Sequence, residues 1–292
     1  MSIFEGLQHI VRVDEPLAPH NTLQMGGPAK YFAEPTTIEE LRGIVLECDR
    51  QQIGIRLLGS GTNVLISDEG YDGMVIHLSS AEFSKVVVLQ NGLCCSGGCK
   101  LAHFVSTAVR EGFSGPENLV GIPGTVGGAL HGNASANGGD MGQWTLSAEV
   151  LTRSGEIIKR SASEMNFGYR QSSLSELVIL TATFSFESAD PVELTKRMQK
   201  LWISKKSSSP DIASHCAFLF KDPGGVTAAS LIEDAGLKQA QNGLLRLDRK
   251  NPNYLIASDG ASSHDAVSMI NEIKESVMKK LGVELEIGIE IW

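Results

Sequence analysis

Short strand-like stretches alternating with amphipathic helices predict an α+β fold for this 292-residue chain. Three features carry that prediction. Helix-start signals recur along the chain, two glycine-rich stretches follow predicted strands or helices, and the chain ends in a helix followed by a period-two segment. There are no internal repeats and no low-complexity stretches.

The first helix begins at Thr36-Thr37, with Glu39 and Glu40 in its first turn and Leu41, Ile44, Val45 and Cys48 at helical spacing. A strand over Ile53–Leu58 runs into Gly59-Ser60-Gly61-Thr62-Asn63. Then come the apolar Val64-Leu65-Ile66, a turn at Asp68-Glu69-Gly70 and a strand over Met74–Leu78. Short strands fit Val86–Ser96, and a helix over Leu101–Glu111 leads to the loop Gly121–Ala129. Further strands fit Ala148–Leu151, Glu156–Lys159 and Leu177–Phe186, and a helix over Pro191–Lys205 leads out to a separate C-terminal unit. In that unit Ala228–Ala235 reads as a helix. Ser262 or Ser263 caps a second, with Val267, Ile270, Ile273, Val277 and Leu281 on one face and Gly282 closing it. Val283–Trp292 is predicted as one continuous strand, apolar on one face and carrying Glu284, Glu286, Gly288 and Glu290 on the other.

A net charge of −9 argues against nucleic-acid or anionic-membrane partners, which need clustered Lys and Arg, and leaves room for a local basic pocket. Met1–Pro16 lacks the apolar core of a signal peptide, and no apolar run reaches the roughly 20 residues that span a bilayer. Five irregularly spaced cysteines suit a reducing compartment, so a cytoplasmic location is expected. Cys94, Cys95 and Cys99 have only His103 nearby to complete four metal ligands, so no metal is expected.

The chemistry is carried by the two glycine-rich stretches. Gly59, Ser60, Gly61, Thr62 and Asn63 let successive N–H groups turn toward one anion with no Cβ in the way. A tight hairpin turn explains that stretch equally well on its own, and the spacing is not the Gly-x-Gly-x-x-Gly of a Rossmann site. The second stretch, Gly121, Ile122, Pro123, Gly124, Thr125, Val126, Gly127, Gly128 and Ala129, is followed at once by Asn133–Asp140. Each glycine costs roughly 0.5–1 kcal/mol of backbone entropy relative to alanine. Close approach to a pyrophosphate or a flat ligand accounts for that cost, and the two loops together point to a dinucleotide cradle.

Asn21–Ala29, Leu58–Gly70, Gly121–Ala129 and Phe167-Gly168-Tyr169-Arg170-Gln171-Ser172 together resemble the UDP-N-acetylenolpyruvoylglucosamine reductase family, in order and spacing and over essentially the whole chain. The resemblance implies a two-subdomain FAD-binding fold of the vanillyl-alcohol-oxidase type, over 1–80 and 81–190. It also implies a C-terminal α/β substrate-binding domain over 195–292. With it come noncovalent FAD held by the two loops, NADPH as hydride donor, a UDP-sugar substrate contacted by Tyr169 and Lys221, and action as a monomer. The implied reaction reduces UDP-N-acetylglucosamine enolpyruvate to UDP-N-acetylmuramate for peptidoglycan. In that family an Arg, matched by Arg170, and a Glu stabilise the enolate, and a Ser or Cys donates the proton.

Two of those positions depart from the pattern. In the segment Ser214–Pro223, counting back from Lys221 without gaps places Phe218 where the Ser or Cys stands, and Phe has no proton to give. Cys216 lies two residues earlier, roughly 6.5–7 Å along one strand face, and is the candidate replacement. The Glu position holds Gly288, with Glu290 two residues on as its candidate replacement. Leu244, Arg246, Asp248 and Asn251 also differ from the usual residues. Two readings follow: a reductase with substituted donors, or an FAD-binding paralogue with impaired or lost reductase activity.

Overall fold

The computed structural model describes residues 3–210 and 215–292, so Ser214 lies outside the described residues. The chain divides into two compact units. The first comprises Met1–Val13, Tyr31–Ser60 and Asp72–Lys205, and the second comprises Asp14–Lys30, Gly61–Tyr71 and Lys206–Trp292. The helix Pro191–Ser208 spans the last of these crossings, where the sequence placed the exit to a C-terminal unit. Of the four earlier crossings, three lie in the strands Val11–Pro16, Pro28–Ala33 and Tyr71–His77, and the fourth falls between Ser60 and Gly61.

The first unit holds two apolar cores. One gathers Ile44, Val45, Met74, Ile76 and Phe83 beneath the helix Ile38–Arg50. That helix starts as its sequence predicts: Thr37 and Glu40 form a reciprocal capping box. The other core gathers Leu93, Phe104, Leu119, Met141, Phe184 and Phe186. It lies against an antiparallel five-stranded sheet in the order Ile157–Ser161, Thr145–Leu151, Val178–Ser185, Gly92–Ser96, Val86–Leu89. The helix Leu101–Arg110 buries Leu101, Phe104, Val105 and Ala108 here, the face its spacing predicts.

The second unit is built on an antiparallel sheet in the order Cys216–Phe218, Tyr254–Ala257, Leu245–Leu247, Gln241–Asn242. Ala217, Leu245, Leu247, Leu255 and Ala257 face a core closed by the helices Ala228–Asp234 and Ser263–Leu281. Ser262 caps the latter helix and Gly282 ends it in the left-handed region at φ 69°.

Two expectations are corrected. The stretch Gly121–Ala129 is not all loop, because a short helix, Val126–His131, begins inside it with the Thr125 hydroxyl capping Gly128. Val283–Trp292 is not one continuous strand: only Glu290–Ile291 pairs regularly, in parallel with Val64–Leu65. The cause is a change of partner. The N–H groups of Gly288 and Ile289 both reach the Leu219 carbonyl, whereas those of Glu290 and Trp292 reach Asn63 and Leu65. Alternating burial survives at Leu285 and Ile289 but ends at Ile291, which is exposed.

Asn253 fixes the segment against which Gly288 lies. Fully buried, it accepts from the Phe220 N–H at 2.9 Å and donates to the Phe220 carbonyl at 2.8 Å. Removing it strands two buried backbone groups, each costing on the order of 1–3 kcal/mol. Asn253→Leu is therefore expected to lower unfolding stability by about 3 kcal/mol in a denaturant titration. A loss under about 1 kcal/mol would show that water or a backbone shift replaces both bonds.

Candidate functional site

The two glycine-rich stretches meet. A Cβ added at Gly59 would lie 2.9 Å from the Thr125 hydroxyl oxygen, so the end of the strand Ile55–Leu58 runs against the turn before the helix Val126–His131. Lys100 joins the same place, its Nζ donating to the Ser60 hydroxyl at 2.9 Å and its backbone bridging to Thr125. Lys100 stands at the N-cap of the helix Leu101–Arg110 without a side-chain capping bond and belongs to no motif, so nothing in the sequence marks this cation beside the loops.

The N–H groups of the two stretches divide into used and unused. Val126 and Gly127 donate to Cys99 and Gly97 carbonyls at 2.8 and 2.7 Å, and Gly128 donates to Thr125 Oγ1. Gly127 is a glycine because a Cβ there would stand 2.9 Å from the Gly97 carbonyl oxygen. By contrast, among the described residues no N–H of Gly59, Ser60, Gly61, Thr62 or Asn63 donates to a protein acceptor, nor do those of Gly121, Gly124 and Thr125. Gly61 and Gly124 sit at φ 63° and 129°, and Gly61 has no room for a Cβ, which would be 2.2 Å from the His20 carbonyl oxygen. Open N–H groups on glycine turns, with a lysine beside them, fit the pyrophosphate of a dinucleotide.

Arg170 is held by strain and packing. The strands Phe167–Gly168 and Gln171–Ser172 form a hairpin whose two turn residues are Tyr169 and Arg170. Arg170 lies at φ 57°, a conformation that costs a non-glycine residue about 1–2 kcal/mol. The hairpin is anchored by Asn133, which donates to the Gly168 carbonyl at 2.9 Å, and by the Ser172 hydroxyl, which donates to the His131 carbonyl at 2.8 Å. The guanidinium lies 5.7 Å from the centre of the exposed Tyr169 ring. Lys205, which no sequence motif marks, extends this group. Its Cγ would be 3.1 Å from a Cβ at Gly121, and burial first, then the Arg170 charge, push its ammonium below the usual lysine range. Arg170 and the Gly121 loop thus share one neighbour. The hairpin also borders a cleft of about 610 Å³ whose Asn133, Gln143 and Thr145 side chains are already hydrogen-bonded within the protein.

In the second unit Phe218 and Cys216 share the strand face away from the core, as the alternation requires, and both are half-buried. Burial, then the nearby Asp248 carboxylate, push the Cys216 thiol upward. Gly288 lies on the Leu219–Lys221 segment. A Cβ there would stand 3.3 Å from both Lys221 N and Phe220 C. Its carbonyl accepts from the Asn63 side chain at 3.0 Å. Lys221 pairs with Glu286, and Glu290 is exposed.

Such an arrangement belongs to the FAD-binding proteins of the vanillyl-alcohol-oxidase type. A model of the FAD binding domain matches residues 29–161, and one of the UDP-N-acetylenolpyruvoylglucosamine reductase C-terminal domain matches 209–292. The reductase of Rhodopirellula baltica is 38% identical over 99% of this chain and 94% of its own, and that of Listeria innocua 34% over 96% and 94%. The crystal structure of the Thermus caldophilus reductase superposes with a TM-score of 0.81 at 30% identity, covering 97% of this chain and 98% of that one. A glucose dehydrogenase, Phl p 4.0202, shares the fold at a TM-score of 0.51 and 13% identity, over 64% of this chain and 44% of its own. The chain belongs to the UDP-N-acetylenolpyruvoylglucosamine reductase family.

Two outcomes test this geometry. Gly59→Ala presses a methyl group on Thr125 and is expected to weaken FAD retention about tenfold, roughly 1.4 kcal/mol, read as free-flavin fluorescence on dilution. Unchanged retention would separate this contact from the cofactor. Because the thiolate is the nucleophile, Asp248→Asn is expected to speed alkylation of Cys216 at pH 8 several-fold by peptide mass spectrometry. An unchanged rate would leave burial alone in control.

Proposed function

We propose that this protein reduces UDP-N-acetylglucosamine enolpyruvate to UDP-N-acetylmuramate with NADPH, in the cytoplasm and as a monomer, for peptidoglycan precursor synthesis. The observation that carries the reading is Arg170, kept in a strained turn and sharing the neighbour Lys205 with Gly121 in an FAD-binding fold. FAD held there would supply hydride transfer between NADPH and the vinyl carbon of the substrate. The open N–H groups of 59–63, 121, 124 and 125, together with Ile122, Pro123, Gly127, Gly128 and Ala129 of the second stretch, are assigned to holding it. Hydride addition places negative charge on the substrate carboxylate as an enolate, and Arg170 supplies the positive charge that stabilises it. Tyr169 and Lys221 are assigned to the UDP-sugar, and Cys216 and Glu290 are the sequence's candidates for the missing acids.

A second reading, an FAD-binding paralogue that does not complete the reduction, draws on two observations. Phe218 fills the donor position with a ring, and the backbone lies tight around Gly288, where a side chain would stand. Anaerobic reduction of the holoprotein with NADPH, followed by addition of UDP-N-acetylglucosamine enolpyruvate, decides between them. Rapid return of oxidised-flavin absorbance is expected. A flavin that reduces and stays reduced would overturn the reductase reading.

A further inference from the structure

Reduction of an enolpyruvyl group leaves a carbanion at the α-carbon that a positioned acid must protonate. On the half-buried face of the C-terminal sheet, the strand pairing puts Tyr254 directly opposite Phe218. The two rings meet edge to face with centroids 5.4 Å apart. Both residues point away from the core that Ala217, Leu245, Leu247 and Leu255 line, on the same side as Cys216, Ile256 and Arg246. Of these, Ile256 and Phe218 have no proton to give, and a guanidinium does not release one in the working pH range. The remaining donors are the Cys216 thiol and the Tyr254 phenol. The thiol sits two residues from Phe218 along the strand, and burial and Asp248 make it a weaker acid than a free thiol. The phenol belongs to the residue in ring contact with Phe218.

We propose that Tyr254 is the proton donor of this reduction, its phenol serving the α-carbon at the position where Phe218 has none to offer. The assignment rests on the reductase reading above. In the step, the terminal vinyl carbon gains the hydride and the π electron pair moves to the α-carbon and its carboxylate. The Tyr254 O–H bond then breaks, its proton forms the new Cα–H bond, and the phenolate takes a proton from water. Phe218 acts as a positioning residue, its edge-to-face packing orienting the phenol ring.

Tyr254→Phe keeps the ring contact and removes only the hydroxyl. In the holoprotein, reduction of the flavin by NADPH is expected to be unchanged. Reoxidation by UDP-N-acetylglucosamine enolpyruvate is expected to slow roughly 10²–10⁴-fold, the usual worth of a positioned acid. A second readout separates a donor from a structural residue. In D2O the wild-type product should carry deuterium at one face of the α-carbon, whereas Tyr254→Phe, protonated by solvent, should give a mixture of configurations. Wild-type rate and single configuration in Tyr254→Phe overturn the assignment to Tyr254 and leave the reductase reading standing. A wild-type flavin that never reoxidises overturns both.

Discussion

The close approach of Gly59 to Thr125 is the constraint on which the first unit's site depends. One residue ends a strand and the other caps a helix, and they come together only because position 59 has no side chain. The contact sets where Gly59 stands relative to the turn that precedes the helix Val126–His131. It also puts the Lys100 ammonium beside Ser60. Substituting any Cβ-bearing residue at 59 must move the Thr125 hydroxyl, and with it the cap on Gly128.

Arg170 shows the same economy from the opposite side. A two-residue hairpin turn with a positive φ at its second position is most easily filled by glycine or asparagine. Arginine there gives up local stability, and Asn133 and Ser172 hold the turn in place from below. Lys205 then sets a second cation beside it, on the stem side of Gly121. Strain retained at a charged residue, with its own hydrogen-bonded support, is what a preorganised electrostatic site requires.

The second unit combines a well-determined frame with altered chemistry. Asn253 binds both backbone groups of Phe220, and the Leu219 carbonyl receives Gly288 and Ile289. These bonds hold the backbone beside positions 218 and 288, the first carrying an apolar ring and the second no side chain. Loss of the side chain at 288 and closure of the backbone around it go together, so restoring a glutamate there would also require that backbone to give way.

By itself the sequence determined the α+β class, the helix Ile38–Arg50 with its capping box, the Ser262 cap, the Gly282 stop and the two glycine loops. Each of these depends on neighbours a few residues apart. The motif order identified the family and placed Arg170. Tertiary structure decided the rest. Period-two alternation over Val283–Trp292 reads as a strand, yet the ladder breaks because the segment changes hydrogen-bond partners from Leu219 to Asn63, and no local pattern records a partner's identity. Glycines at 127 and 128 read as part of a cradle. Their N–H groups are taken by Gly97 and Thr125, and only the folded chain shows which N–H groups remain open. Lys100, Lys205, Asn253 and Tyr254 carry no motif, because their roles come from residues between 33 and 84 positions away along the chain, or across a strand pair, that only folding brings beside them.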